Sequence, residues 1–71
     1  MKMIRSLTTG GQLFEIQPKF VLQLVPAQGL TVLITASGSR FVLTEGIADV
    51  LRQAPSSFTW DTTSQTFVLR G

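Results

Sequence analysis

Alternate residues from position 14 onward are apolar: Phe14, Ile16, Pro18, Phe20, Leu22 and Leu24, with Glu15, Gln17, Lys19, Val21, Gln23 and Val25 between them. A period of two is the mark of an extended strand with one buried face. Because the phase continues through Pro18, the pattern predicts one long strand from about Gln12 to Val25, with the proline at an edge or bulge where its missing N–H costs nothing. A turn at Pro18 dividing two strands is the alternative. A single strand of that length, at about 3.3 Å per residue, spans roughly 45 Å. A compact chain of 71 residues has a diameter under about 30 Å, so the strand either bends at Pro18 or pairs beyond its own domain.

Two hairpins and a helix follow. Leu30 to Thr44 reads as LTVLIT and RFVLT flanking the turn residues Ala36-Ser37-Gly38-Ser39. A four-residue loop sets Thr35 against Arg40, Ile34 against Phe41, Leu33 against Val42 and Val32 against Leu43. That register makes one face apolar throughout and leaves Leu33 and Val42 as an apolar pair among Thr31, Thr35, Arg40 and Thr44 on the other. The second hairpin joins SFTW to QTFVLR through Asp61-Thr62-Thr63-Ser64, where Asp61 starts an Asx-type turn. It sets Phe58 opposite Phe67, with Trp60 diagonal to it. Between the hairpins, Ile47, Val50, Leu51 and Ala54 fall at i, i+3, i+4 and i+7, which predicts a helix from about Glu45 to Ala54. Thr44 is the expected N-cap, and Pro55 ends the helix. Met3 and Ile4 suggest a further edge strand, with Thr8-Thr9-Gly10-Gly11 as its loop.

The expected fold is therefore β-rich α+β, a single domain over 1–71 in the order βββ-α-ββ. It is either a small antiparallel sheet with the helix laid on one face or a partly open barrel of the OB type. A domain of this size hides only about 60% of the surface its unfolded chain exposes, so each buried side chain counts heavily.

Composition narrows the function classes. With no cysteine and no histidine, the usual zinc, haem and iron–sulfur ligand sets cannot be assembled and no disulfide framework exists. The hydroxyls lack a histidine base, and no Lys or Cys flanks a plausible nucleophile. Glu45 and Asp49, four apart on the helix, read as a solvated face. No catalytic, cofactor-binding or metal-binding residue is expected. The basic N-terminus has no apolar run behind it that reads as a signal peptide, and Phe20 to Ala36 is too short and too interrupted by Gln23, Pro26, Gln28 and Gly29 to span a bilayer. A cytoplasmic protein, or one in a cytosolically assembled particle, is expected.

Charged residues make up 14% of the chain and hydrophobic ones 44%, against an ordinary charged fraction of about 25%. The surface must therefore expose apolar groups. The pI near 10.0 reflects a net charge of only +2 from six basic side chains scattered through the sequence. The expected function is a non-catalytic protein–protein or structural assembly subunit, a homo-oligomer or a small component of a virion or other large complex. Contacts are expected from Ile16, Pro18, Val21, Gln23, Val25, Leu33 and Val42, the strand edge around 16–25 and an apolar second sheet face that also carries Val68. A small single-stranded nucleic-acid binder is the alternative, with Lys19, Arg40, Arg52, Trp60 and Arg70 as contacts.

Overall fold

The computed structural model describes residues 2–70 as seven strands and one short helix. Strands β1 (Ile4–Leu7) and β2 (Leu13–Ile16) form a hairpin. A 3-10 turn over Pro18–Phe20 leads into β3 (Val21–Ala27), β4 (Leu30–Thr35) and β5 (Arg40–Leu43). Helix α1 (Ile47–Arg52) precedes β6 (Phe58–Asp61) and β7 (Thr66–Leu69). The last five strands make an antiparallel sheet in the order β5-β4-β3-β7-β6. The sheets are not closed into a barrel, so of the two expected architectures the open sheet is the one formed.

The single long strand over 12–25 does not form. Pro18, whose fixed φ suits the first position of a helical turn, opens the 3-10 turn, which is closed by the Phe20 amide donating to the Gln17 carbonyl at 3.0 Å. The turn resets the alternation: Val21 and Leu24 are buried while Phe20 and Leu22 are about half exposed. A β-bulge between Val21 and Gln23 completes the change, because Val21 pairs with Thr35 and Gln23 with Ile34, leaving Leu22 without a partner across the ladder. With the strand divided, the molecule measures 31 × 29 × 23 Å and nothing overhangs.

Of the edge expected over 16–25, Ile16 lies on β2, which pairs only with β1, but the 21–25 part is not an edge. Strand β3 lies at the centre of the sheet with β4 on one side and β7 on the other. Pro26 is tolerated there because the ladder with β7 reaches only Gln23 and Leu24, so the proline stands where one neighbour alone flanks the strand. The sheet's true edges are β5 and β6. The outer side of β5 is occupied by the end of the first hairpin: the Thr9 amide donates to the Val42 carbonyl and the Thr44 amide to the Leu7 carbonyl.

The first sheet hairpin differs from expectation by one residue. Ile34 pairs with Arg40, Leu33 with Phe41, Val32 with Val42 and Thr31 with Leu43. The loop is a three-residue one, Ala36 to Gly38, in which the Gly38 amide donates to the Thr35 carbonyl and the Thr35 amide to the Ser39 carbonyl. Gly38 takes a left-handed φ of 92°, the arrangement of a type I turn followed by a glycine bulge. Since side chains alternate, this slip moves β4 to the opposite face relative to β5. The second hairpin is offset by two residues, with Trp60 directly opposite Phe67 and Phe58 opposite Leu69. An even offset preserves the faces.

One face of the large sheet carries the core. Val21, Leu24, Leu33, Leu43 and Phe58 pack with Ile4 of the first hairpin and with Val50 and Ala54 of the helical segment, all buried. The helix presents the expected stripe but begins later than expected, at Ile47 with Gly46 as N-cap. The Thr44 hydroxyl, the expected cap, donates to the Leu7 carbonyl at 3.1 Å instead. Thr31, fully buried among aliphatics, satisfies its hydroxyl on the Glu45 carbonyl at 2.8 Å, as a buried donor must. Gln53 fastens the helix end to β1 through both ends of its amide: Nε2 donates to the Arg5 carbonyl and Oε1 accepts the Arg5 amide, each at 2.8 Å.

Candidate functional site

The helix and the first hairpin both cover the core face, so the other face of the five-stranded sheet has no second layer among the described residues. Register defines what stands on it. One row across the strands runs Arg40, Ile34, Gln23, Val68 and Thr59. The neighbouring row runs Val42, Val32 and Val25 and continues along the β7–β6 pair through Thr66 and Asp61. Leu30 and Ala27, paired at the β3–β4 turn, extend it. Side-by-side β-branched neighbours shield one another, so Val25, Val32, Ile34 and Val68 are half-buried and Val42 exposed although no layer lies above them.

This face is divided. Its β5-β4-β3 part is a Val/Ile surface with Arg40 at the outer corner. Its β7-β6 part is polar: Gln23 Nε2 reaches Thr66 Oγ1 at 3.4 Å, Thr66 shares a hydrogen bond of 2.7 Å with Ser64, and the Ser64 hydroxyl donates to Asp61 at 2.7 Å. The hydroxyl of Ser64 is the main cause that holds the Asp61 carboxyl below its ordinary range, opposed by desolvation and helped by the Thr63 and Ser64 amides. The carboxylate is therefore firmly ionised near neutral pH, and the face carries a positive end at β5 and a negative end at β6.

Of the expected contact residues, Val25, Gln23, Val42 and Val68 stand on this face. Val21 and Leu33 do not: they are 1% and 0% exposed, inside the core. The bulge turns Val21 inward, and the one-residue slip of the β4–β5 hairpin turns Leu33 inward and brings Val32 and Ile34 out in its place. Ile16 packs partly buried against the core and Pro18 opens the 3-10 turn, so neither belongs to the open face. Val32 and Ile34 are the members that sequence reasoning assigned to the wrong side, and the signal was Gly38, whose left-handed loop position fixes the shorter loop.

The basic and aromatic candidates are dispersed. Lys19 and Arg70 line one cavity, Arg40 stands on the far edge strand, and Arg52 is paired with Asp49 at 2.8 Å on α1. Trp60 meets the Phe67 ring edge-on at a centroid distance of 5.0 Å and remains 45% exposed. Among the described residues no helix is long and apolar enough to cross a membrane. Compared with known protein families, characterised proteins and solved structures, the chain shows no significant match.

Proposed function

We propose that this protein is a non-catalytic assembly subunit that joins a second copy of itself through the open face of its five-stranded sheet. The observation that carries the reading is the uncovered Val/Ile surface of Val25, Val32, Ile34 and Val42 on a sheet whose opposite face carries the core. Contiguous apolar area of this kind marks an interaction site, and two such sheets stack at about 10 Å with their side chains interdigitated.

The Val/Ile part of the face favours a copy of the same chain as the occupant. A two-fold axis lying along β4 sets β5 of one molecule over β3 of the other, so that Val42 faces Val25 and Val32 meets its own copy. An isologous contact requires that self-complementarity. The face is small: β4 has six residues, and five strands at about 4.8 Å spacing give roughly 400 Å² in plan. Standard interfaces bury about 800 Å² of accessible surface per partner, so association is expected to depend on concentration.

The test is Val32→Asp, which places a charge at the centre of the face without touching the core. Sedimentation velocity is expected to show a monomer for the variant at concentrations where the parent self-associates, with unchanged circular dichroism. Equal association of the two proteins would remove this face as the interface.

A further inference from the structure

The six basic side chains have three different fates. Arg5 is paired with Glu15 at 2.6 Å and Arg52 with Asp49 at 2.8 Å, while Arg40 belongs to the open sheet face. The remaining three, Lys2, Lys19 and Arg70, line one cavity of about 510 Å³ at the end of the sheet remote from the β3–β4 turn. Gln17, Ser56 and Ser57 supply further donors, and Pro18 and Leu69 an apolar wall. No acidic side chain lines it among the described residues.

The cavity is held by backbone. The Arg70 amide donates to the Ser57 carbonyl at 2.8 Å, and the guanidinium reaches the Phe58 carbonyl at 3.4 Å. The 3-10 turn fixes Lys19 beside the Phe20 ring, with its ammonium 5.2 Å from the ring centre. Three cations gathered with no acidic side chain beside them among the described residues repel one another, and a bound anion offsets that repulsion.

We propose that this cavity binds a phosphate monoester of roughly mononucleotide size. A phosphate dianion offers three acceptor oxygens to ammonium, guanidinium and hydroxyl donors of the kinds that line this cavity, against two on a carboxylate. The volume falls in the range of small-molecule sites, about 300–1,000 Å³, and so leaves room for an organic body against Pro18 and Leu69. The same chemistry is offered by a free phosphorylated metabolite and by the 5′-phosphate end of a nucleic-acid strand.

Titration of the labelled protein with AMP, followed by amide shifts in two-dimensional NMR at low and high salt, tests the proposal. Saturable shifts at Lys19, Ser57 and Arg70 are expected, weakening with salt and absent with adenosine. Lys19→Gln and Arg70→Gln, both at exposed positions, are each expected to lower affinity about tenfold. Arg52→Gln, which removes the same charge on α1, is expected to leave it unchanged. A 5′-phosphorylated oligonucleotide compared with its 5′-hydroxyl form separates the two sources: tighter binding than AMP assigns a strand end, and equal or weaker binding a free monoester. Absence of saturable shifts with both phosphorylated probes, equal binding of adenosine, or an Arg52→Gln loss as large as that of Lys19→Gln would overturn it.

Discussion

Val21 and Leu22 are adjacent aliphatic residues with opposite fates, 1% and 51% exposed. The bulge decides which of them the core receives, and a bulge of this kind leaves no trace in a period-two pattern that runs on undisturbed past Pro18. Val21→Asp therefore buries an unpaired charge and is expected to abolish folding, seen as loss of the cooperative thermal transition. A folded, soluble Val21→Asp protein would contradict the placement. Leu24→Ala, at a fully buried position in the central strand, is expected to cost about 2–5 kcal/mol in denaturant titration through the cavity it leaves. Asp61 was legible from the start, because an Asp before Thr-Thr-Ser is the usual opening of an Asx turn. Its carboxyl lies below the ordinary value of 3.8, so its contribution to stability is fully present above that value and is lost as pH falls through the lower folded value. Ser64→Ala removes the largest cause and is expected to raise the Asp61 titration midpoint in an NMR pH series; an unchanged midpoint would refute that role for Ser64.

At the scale of elements, the sequence pattern located both sheet hairpins and the helical stripe of Ile47, Val50, Leu51 and Ala54. It missed three things for physical reasons. Pro18 can sit at a strand bulge or open a 3-10 turn, and alternation cannot separate the two. Loop length in the first sheet hairpin rests on one residue, Gly38, and a one-residue error there exchanges the two faces of β4. The Gln28-Gly29 turn, with both residues at positive φ, is the two-residue connection that matches strand twist, and it made the following β3–β4 pairing the centre of the sheet. The helix has only six residues, too few to be stable by itself, and it depends on its attachments. Gln53→Ala removes both hydrogen bonds to Arg5 and is expected to cost about 1–3 kcal/mol. Faster hydrogen exchange at the Arg5 amide would register the loss, and unaltered exchange there would show that the amide clamp is not what holds β1 to the helix.

For the whole molecule, low charge and small size imply an incompletely self-sufficient surface, and the fold leaves apolar groups exposed on the first hairpin and at Phe20 and Trp60 as well as on the open sheet face. The low charge density was readable from composition, whereas its arrangement was not, since the six cations and four acids are sorted into ion pairs, a polar corner and a basic cavity only by folding. The most direct measurement is the absolute mass by light scattering behind a sizing column, over a range of loading concentrations at low and high salt. A mass that rises toward twice the monomer with concentration and persists in high salt is the predicted result, because an interface centred on valine and isoleucine gains little from charge. A constant monomer mass at every concentration in both salts would contradict self-association through the open sheet face.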